Sequence, residues 1–197
     1  MTPLRGDMLS VSLPAVLDFF GIAEWDVLMV GDGSGYSWNI GCGWAGAVID
    51  RRTMGRKLLW GAWSTGTIMI AEIMPYIHGL AWYESNHADD CRRALRRQVL
   101  KVHVISDNKT VVDQGNGHVG RKKMLPWWAC LGNYVRIGYE VKWHFNPGHE
   151  EGRQVGLNVL CDHVSRHSRL LTQETTLAEI VPEMPNLTVY DVNPHED

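Results

Sequence analysis

The sequence has few cysteines and no long apolar run, and each absence narrows what the chain can be. Cys42, Cys91, Cys130 and Cys161 are its four cysteines, widely spaced and with no C-x-x-C pair. That spacing argues against a zinc finger or a disulfide scaffold and fits reduced thiols in a cytoplasmic protein. No apolar stretch approaches the roughly 20 residues needed to cross a bilayer, so no membrane association is expected. The first 20 residues carry a charged pair and a mixed amphipathic run rather than the apolar core of a signal peptide. An excess of positive charge is also missing, since 19 Lys and Arg stand against 22 Asp and Glu. The deficit is local: six acids (Glu174, Glu179, Glu183, Asp191, Glu196 and Asp197) lie in 172–197, which has no Lys or Arg. The rest of the chain holds 19 basic against 16 acidic residues, a balance compatible with a polyanionic partner.

What is present is an ordinary globular core, with 45% hydrophobic residues. The length suits one domain with flanking segments. Residues 1–25 read as an N-terminal extension with a short helix over 12–24, 26–171 as the domain, and 172–197 as an acidic tail. For the tail three readings stand open: disorder, packing on the domain edge, or binding a partner. "WDVLMVGDGSG" is a buried strand that stops at Asp-Gly. "CGWAGAVIDRR" and "RKLLWGAWS" follow as strands joined by Gly-rich links, the pattern of antiparallel hairpins. The period changes in "IMIAEIMPYIHGLAWY" (68–83), which fits a helix despite Pro75 and Gly79. A second helical stretch is expected over 85–98, a strand at "KVHVISD", a helix over 124–136, a strand at "YEVKWHF" and a last helix over 155–171. The fold class is therefore α/β, with a mixed five-stranded sheet (three antiparallel strands, then two parallel) flanked by helices.

Four acids sit in apolar surroundings: Asp32 at the end of the first strand, Glu72 on the long helix, Asp107 at the end of the fourth strand and Asp162 on the last helix. A buried carboxylate without a partner is costly, and basic neighbours are too few to pair all four. Hard divalent cations with oxygen ligands satisfy such a set, and two ions about 4 Å apart form the clamp used for in-line phosphoryl displacement. Taken singly, the acids have plainer readings. Asp32 suits a hairpin turn, Asp107 a helix N-cap, and Asp162 an i,i+4 pair with Arg166. Glu72 on its apolar helix has no such alternative. His163 and His167, also i,i+4, lack a third ligand nearby and read as surface histidines.

The motifs together resemble the ribonuclease H family, type 1, over roughly residues 26–170. "GDGSGYSWNIGCGWAGAVI" is similar to that family's first hairpin, "AEI" at 71–73 to its helix Glu, and "ISDNKTVV" at 105–112 to its strand-end Asp and following helix. "PGHEEGRQVGLNVLCDHVSR" is similar to its closing motif, with His149, Asn158 and Asp162. The resemblance implies an endonuclease that hydrolyses the RNA strand of RNA–DNA hybrids and leaves 5′-phosphate and 3′-hydroxyl ends. It implies that Asp32, Glu72, Asp107 and Asp162 bind two Mg²⁺ ions, with Mn²⁺ as a substitute. His149 is then expected to assist proton movement or product release, and Asn158 to support the site or touch substrate. Gly33, Ser34 and Asn108 are expected against the substrate. So are Lys122, Lys123 and Trp127 of "RKKMLPWW", where basic and aromatic residues suit phosphate contact and stacking. That segment has an equally good reading as core tryptophans beside solvated lysines.

Two features depart from the family pattern. The loop between His149 and Asp162 is a few residues longer than usual. Ahead of Glu72, where the family often carries Asn or Gln and Arg to read 2′-hydroxyls, this chain has Ile68, Met69 and Ile70. The 2′-hydroxyl is what separates RNA from DNA. Two alternatives therefore stand beside the hybrid nuclease: a nuclease of the same fold acting on structured DNA or double-stranded RNA, and a non-catalytic hybrid-binding module. The expected protein is a cytoplasmic monomer that binds nucleic acid.

Overall fold

A computed structural model describes residues 13–35, 41–63, 66–87, 99–120, 125–147, 156–168 and 187–191. Its elements run α1 (Leu13–Phe19), β1 (Val27–Gly35), β2 (Cys42–Asp50), β3 (Arg56–Trp63), α2 (Ile68–Asn86), β4 (Leu100–Ser106), α3 (Lys109–Gly115), α4 (Leu125–Arg136), β5 (Tyr139–Phe145), α5 (Gly156–Ser168) and β6 (Leu187–Asp191). The strands form one sheet in the order β5-β4-β1-β2-β3-β6. β1, β2 and β3 pair antiparallel, while β4 and β5 add in parallel on the β1 side. This is the expected five-stranded arrangement, and it gains a sixth strand. β6 comes from the segment read as an acidic tail and pairs in parallel with β3, so this part of the tail packs on the sheet edge. Two helices, α3 and α4, join β4 to β5 where one was expected from periodicity. The expected second helix over 85–98 falls mostly outside the described residues; α2 itself runs on to Asn86.

β1 is apolar on both faces because both are covered. Val27 and Met29 join the core under α2, α3 and α4, while Leu28 and Val30 join the core under α1. Ala45 and Ala47 of β2 pack on Leu160, Cys161 and Val164 of α5. The result is three layers with the sheet in the middle. α2 survives Pro75 and Gly79 because the sheet opposite is notched. A Cβ on Gly31 would sit 2.5 Å from Pro75 Cβ, and one on Gly46 would sit 2.8 Å from it. The proline ring therefore fills space that side chains on β1 and β2 would otherwise occupy. Among the described residues, no helix is long and apolar enough to cross a membrane.

Away from the strand ends that carry the acids, β4 and β5 are joined by a pair of imidazoles. His103 Nε2 faces the Glu24 carbonyl oxygen at 3.1 Å and so carries the hydrogen. Its Nδ1 then accepts from His144 Nε2–H at 2.8 Å. Burial lowers the pKa of His103. Burial and then the charge of His103 bring that of His144 down to about 4. Unfolded histidines titrate near 6.5, so the unfolded chain takes up protons first. Stability from this pair is present above pH ~6.5 and is lost as pH falls toward ~4. His144→Gln keeps an N–H donor for His103 and removes the His144 part of this titration. Thermal melts between pH 7 and pH 4 are expected to show a shallower acid-side loss of Tm in the variant than in wild type.

Candidate active site

The parallel ladder between β1 and β4 stops at the Val30–Ile105 pair. Just beyond it lie Asp32 on β1 and Asp107 after β4, at the carboxyl ends of parallel strands where open α/β sheets place their ligand crevices. Asp32 is inside the β1–β2 ladder, opposite Ala45, and is not a turn residue. Asp107 does not cap α3. That role falls to Asn108, whose side chain accepts from Val111 N–H at 3.2 Å.

Glu72 reaches these two acids because α2 lies directly on β1. A Cβ on Gly33 would fall 2.4 Å from both the carbonyl carbon of Ala71 and the nitrogen of Glu72. No side chain fits there, and the Gly33 N–H hydrogen-bonds the Glu72 carboxylate. Carboxylate oxygens of Asp32, Glu72 and Asp107 consequently lie within 4.8 Å of one another. Asp32 and Glu72 are each only 5% exposed, and Asp107 is half-buried.

Burial raises the Asp32 carboxyl well above its usual range, and the charges of Asp107 and Asp162 push it further. The Ser165 hydroxyl, which donates to Asp32 Oδ2 at 2.8 Å, opposes that rise. Glu72 is raised in the same way, by burial and then by Asp32 and Asp107. The Asn108 side chain and Gly33 N–H favour its ionised form. Glu72 Oε2 is buried and has no hydrogen-bond partner. Asn158 donates to Asp107 Oδ2 at 3.2 Å. Asp162 lines the same cleft, an opening of about 240 Å³, but is not one of the three acids gathered within 4.8 Å. Its Oδ1 accepts from Arg166 Nε at 2.7 Å, the i,i+4 pair that the sequence spacing allows.

Three gathered carboxylates, one with an orphaned buried oxygen, fit a hard divalent cation. The donors are all oxygen, and a cation would satisfy the orphan while removing the mutual repulsion. Among the described residues no other His, Cys, Asp or Glu cluster has this geometry. His163 and His167 do not form one: His167 Nδ1 donates to the His163 carbonyl at 2.6 Å.

Of the other expected site residues, Gly33, Ser34 and Asn108 line the cleft. Trp127 does not; it is half-buried and packs against Trp63, with ring centroids 5.5 Å apart. His149, Lys122 and Lys123 lie outside the described residues. Sequence reasoning missed Ser165. Its signal was available, because Asn158, Asp162 and Ser165 recur at i, i+4 and i+7 on one face of α5.

No protein-family model matches the sequence, and a search of curated proteins gives no match. Solved structures do match. LC11-RNase H1, isolated from compost by a metagenomic approach, superposes with a TM-score of 0.58 at 14% identity, over 74% of this chain and 96% of that one. The same enzyme in complex with RNA/DNA hybrid gives 0.54 at 13% identity, over 73% and 96%. The N-terminal RNase H domain of rv2228c from Mycobacterium tuberculosis, solved as a maltose-binding-protein fusion, gives 0.54 at 16% identity, over 74% and 94%. At these identities the likeness bears on architecture, and it agrees with the sheet order and the helices on both faces: the chain has the ribonuclease H fold.

Proposed function

We propose that the protein is a divalent-metal-dependent endonuclease that hydrolyses the RNA strand of RNA–DNA hybrids, leaving 5′-phosphate and 3′-hydroxyl ends. The observation that carries this reading is the convergence of Asp32, Glu72 and Asp107 at the strand ends of a ribonuclease H fold. The similar LC11-RNase H1, solved with a bound RNA/DNA hybrid, supports the choice of substrate. Asp32, Glu72, Asp107 and Asp162 would hold two Mg²⁺ or Mn²⁺ ions. When bound, such a pair supplies an activated water and stabilises the leaving 3′ oxygen. The protein's own groups set up that chemistry. Ser165 orients Asp32, and Asn158 holds Asp107 by one oxygen. Asp162, on the cleft wall, is shared with Arg166. His149 is proposed to move a proton or assist product release. Gly33, Ser34 and Asn108 are proposed to meet substrate, with Lys122, Lys123 and Trp127 extending the contact surface.

A second reading has its own observation. Ile68 opens α2, lines the cleft and is 44% exposed. Its side chain offers a 2′-hydroxyl no hydrogen bond, which favours a nuclease of the same fold with structured DNA or double-stranded RNA as substrate. Cleavage of end-labelled hybrid, double-stranded DNA, double-stranded RNA and branched DNA separates the two. Hybrid-only cutting is expected, dependent on Mg²⁺ and abolished by EDTA. Asp107→Asn is expected to lose more than the roughly 10–100-fold that removing an outer-shell partner costs, the range expected for Asn158→Ala. Cutting of another substrate that is lost in Asp107→Asn would select the second reading. Binding of hybrid without turnover would replace both with a binding module.

The same site predicts a stability trade. Asp32 is raised in the folded protein above its unfolded value near 4. Stability from its protonated form is present below that value and is lost as pH rises through the folded pKa. In EDTA at pH 7.5, Asp32→Asn is expected to raise Tm by several degrees, at about 2–4 °C per kcal/mol for a chain of this size. The gain should shrink toward pH 4. Added Mg²⁺ should raise the Tm of wild type far more than that of the variant.

A further inference from the structure

The three carboxylates arrive on three separate segments, and one hydroxyl touches two of them while standing on the third. Tyr76 lies on α2, one helical turn after Glu72. Its Oη is 3.0 Å from the carbonyl oxygen of Gly31, the residue before Asp32. It is also 3.0 Å from that of Ile105, two residues before Asp107. A phenol has one proton, so both carbonyls share it. The Ser106 hydroxyl reaches the same oxygen, and Ser106 Oγ accepts from Asn108 N–H at 3.1 Å. The contact sits where the β1–β4 ladder ends at Val30–Ile105, so the hydroxyl continues the link between strands beyond their last paired residues. The ring has no alternative position. It is fully buried, lies edge-on to Trp143 with centroids 5.1 Å apart, and would stand 3.1 Å from a Cβ on Gly31.

We infer that Tyr76 is a positioning residue for the acidic site: its hydroxyl fixes the spacing of Asp32, Glu72 and Asp107, and thereby the affinity for a divalent cation. The inference rests on the metal-site reading above. Repulsion among the carboxylates acts to spread the strand ends and α2 apart, and the shared hydrogen bond opposes that spreading at its root. A purely structural tyrosine would contribute to folding alone. A positioning tyrosine also sets how tightly the assembled site takes a cation.

The test is Mn²⁺ binding by the full chain without substrate, followed by calorimetry well below the unfolding midpoint of every variant. Tyr76→Phe keeps the ring and removes the hydroxyl. Val48→Ala opens the core at the level of Met29, away from the carboxylates, and serves as the stability control. Tyr76→Phe is expected to weaken Mn²⁺ binding roughly tenfold, the lower end of the cost of removing outer-shell support. The Mg²⁺ concentration for half-maximal turnover should rise in proportion. Val48→Ala should lower Tm and leave Mn²⁺ affinity unchanged. Equal Mn²⁺ affinity in Tyr76→Phe and wild type, with only Tm reduced, would overturn the inference and leave the metal site standing. A wild-type chain that takes up no Mn²⁺ would overturn both. Should Tyr76→Phe not fold, Ser106→Ala leaves the ring and its bond to the Ile105 carbonyl in place and removes the second of its two contacts with β4. A smaller loss of Mn²⁺ affinity is then expected, and no loss would count against the proposal.

Discussion

The contact between α2 and β1 governs the rest of the site. At Gly33 the two backbones approach so closely that even a methyl group would overlap the peptide between Ala71 and Glu72. At Gly31 and Gly46 the same face is notched for Pro75. A helix normally stands off a sheet by the length of two side chains. Here glycine removes one of them, and the helix settles low enough for the Glu72 carboxylate to meet acids that belong to the strands. The same closeness lets the Tyr76 hydroxyl reach carbonyls of both β1 and β4. Adding a side chain at Gly33 would thus do more than strain a turn; it would lift Glu72 out of the cluster.

Once gathered, the acids are in electrostatic conflict. Two are almost fully buried; the charge of Asp107 raises both, and that of Asp32 raises Glu72 further. The surrounding groups relieve only part of this. Ser165 donates to Asp32, Asn158 to Asp107, and Gly33 N–H with the Asn108 side chain to Glu72. Glu72 Oε2 receives nothing. Arg166, the cation lining the cleft, is engaged with Asp162. The arrangement is poor as a purely structural device, because uncharged residues of similar size would pack there at less cost. It suits a site whose missing counter-charge comes with a ligand.

Much of this was legible in the chain. The expected bounds of β5 are the observed ones, and those of β1 to β4 lie within two residues of them, because the runs end at Gly, Asp, Ser or Asn. The four acids stood out by their apolar neighbours. What was not legible depended on tertiary contact or on competing composition. "LTVYD" at 187–191 alternates like a strand, but it lies in a segment defined by its acids, and edge pairing with β3 outweighs that bias. The helix over 68–83 is expected in spite of Pro75, but the room that Gly31 and Gly46 make for the proline ring is a tertiary feature. The plainer reading of Asp107 as a helix cap fails because Asn108 caps α3, and the Asp107 carboxylate meets Asp32 and Asn158 instead. Ser165 shares a helix face with Asn158 and Asp162, but its bond to Asp32 spans 133 residues, and Tyr76 lies 45 residues from the Gly31 carbonyl it bonds, pairings that no local pattern reveals.

Anomalous diffraction from crystals grown with Mn²⁺ decides whether the three carboxylates form a cation site. A peak is expected within coordination distance of oxygens from Asp32, Glu72 and Asp107, roughly 2.0–2.4 Å as for hard divalent cations, with Glu72 Oε2 among the ligands. Carboxylates bridged to one another by shared protons, with no peak between them at millimolar Mn²⁺ and neutral pH, would contradict it.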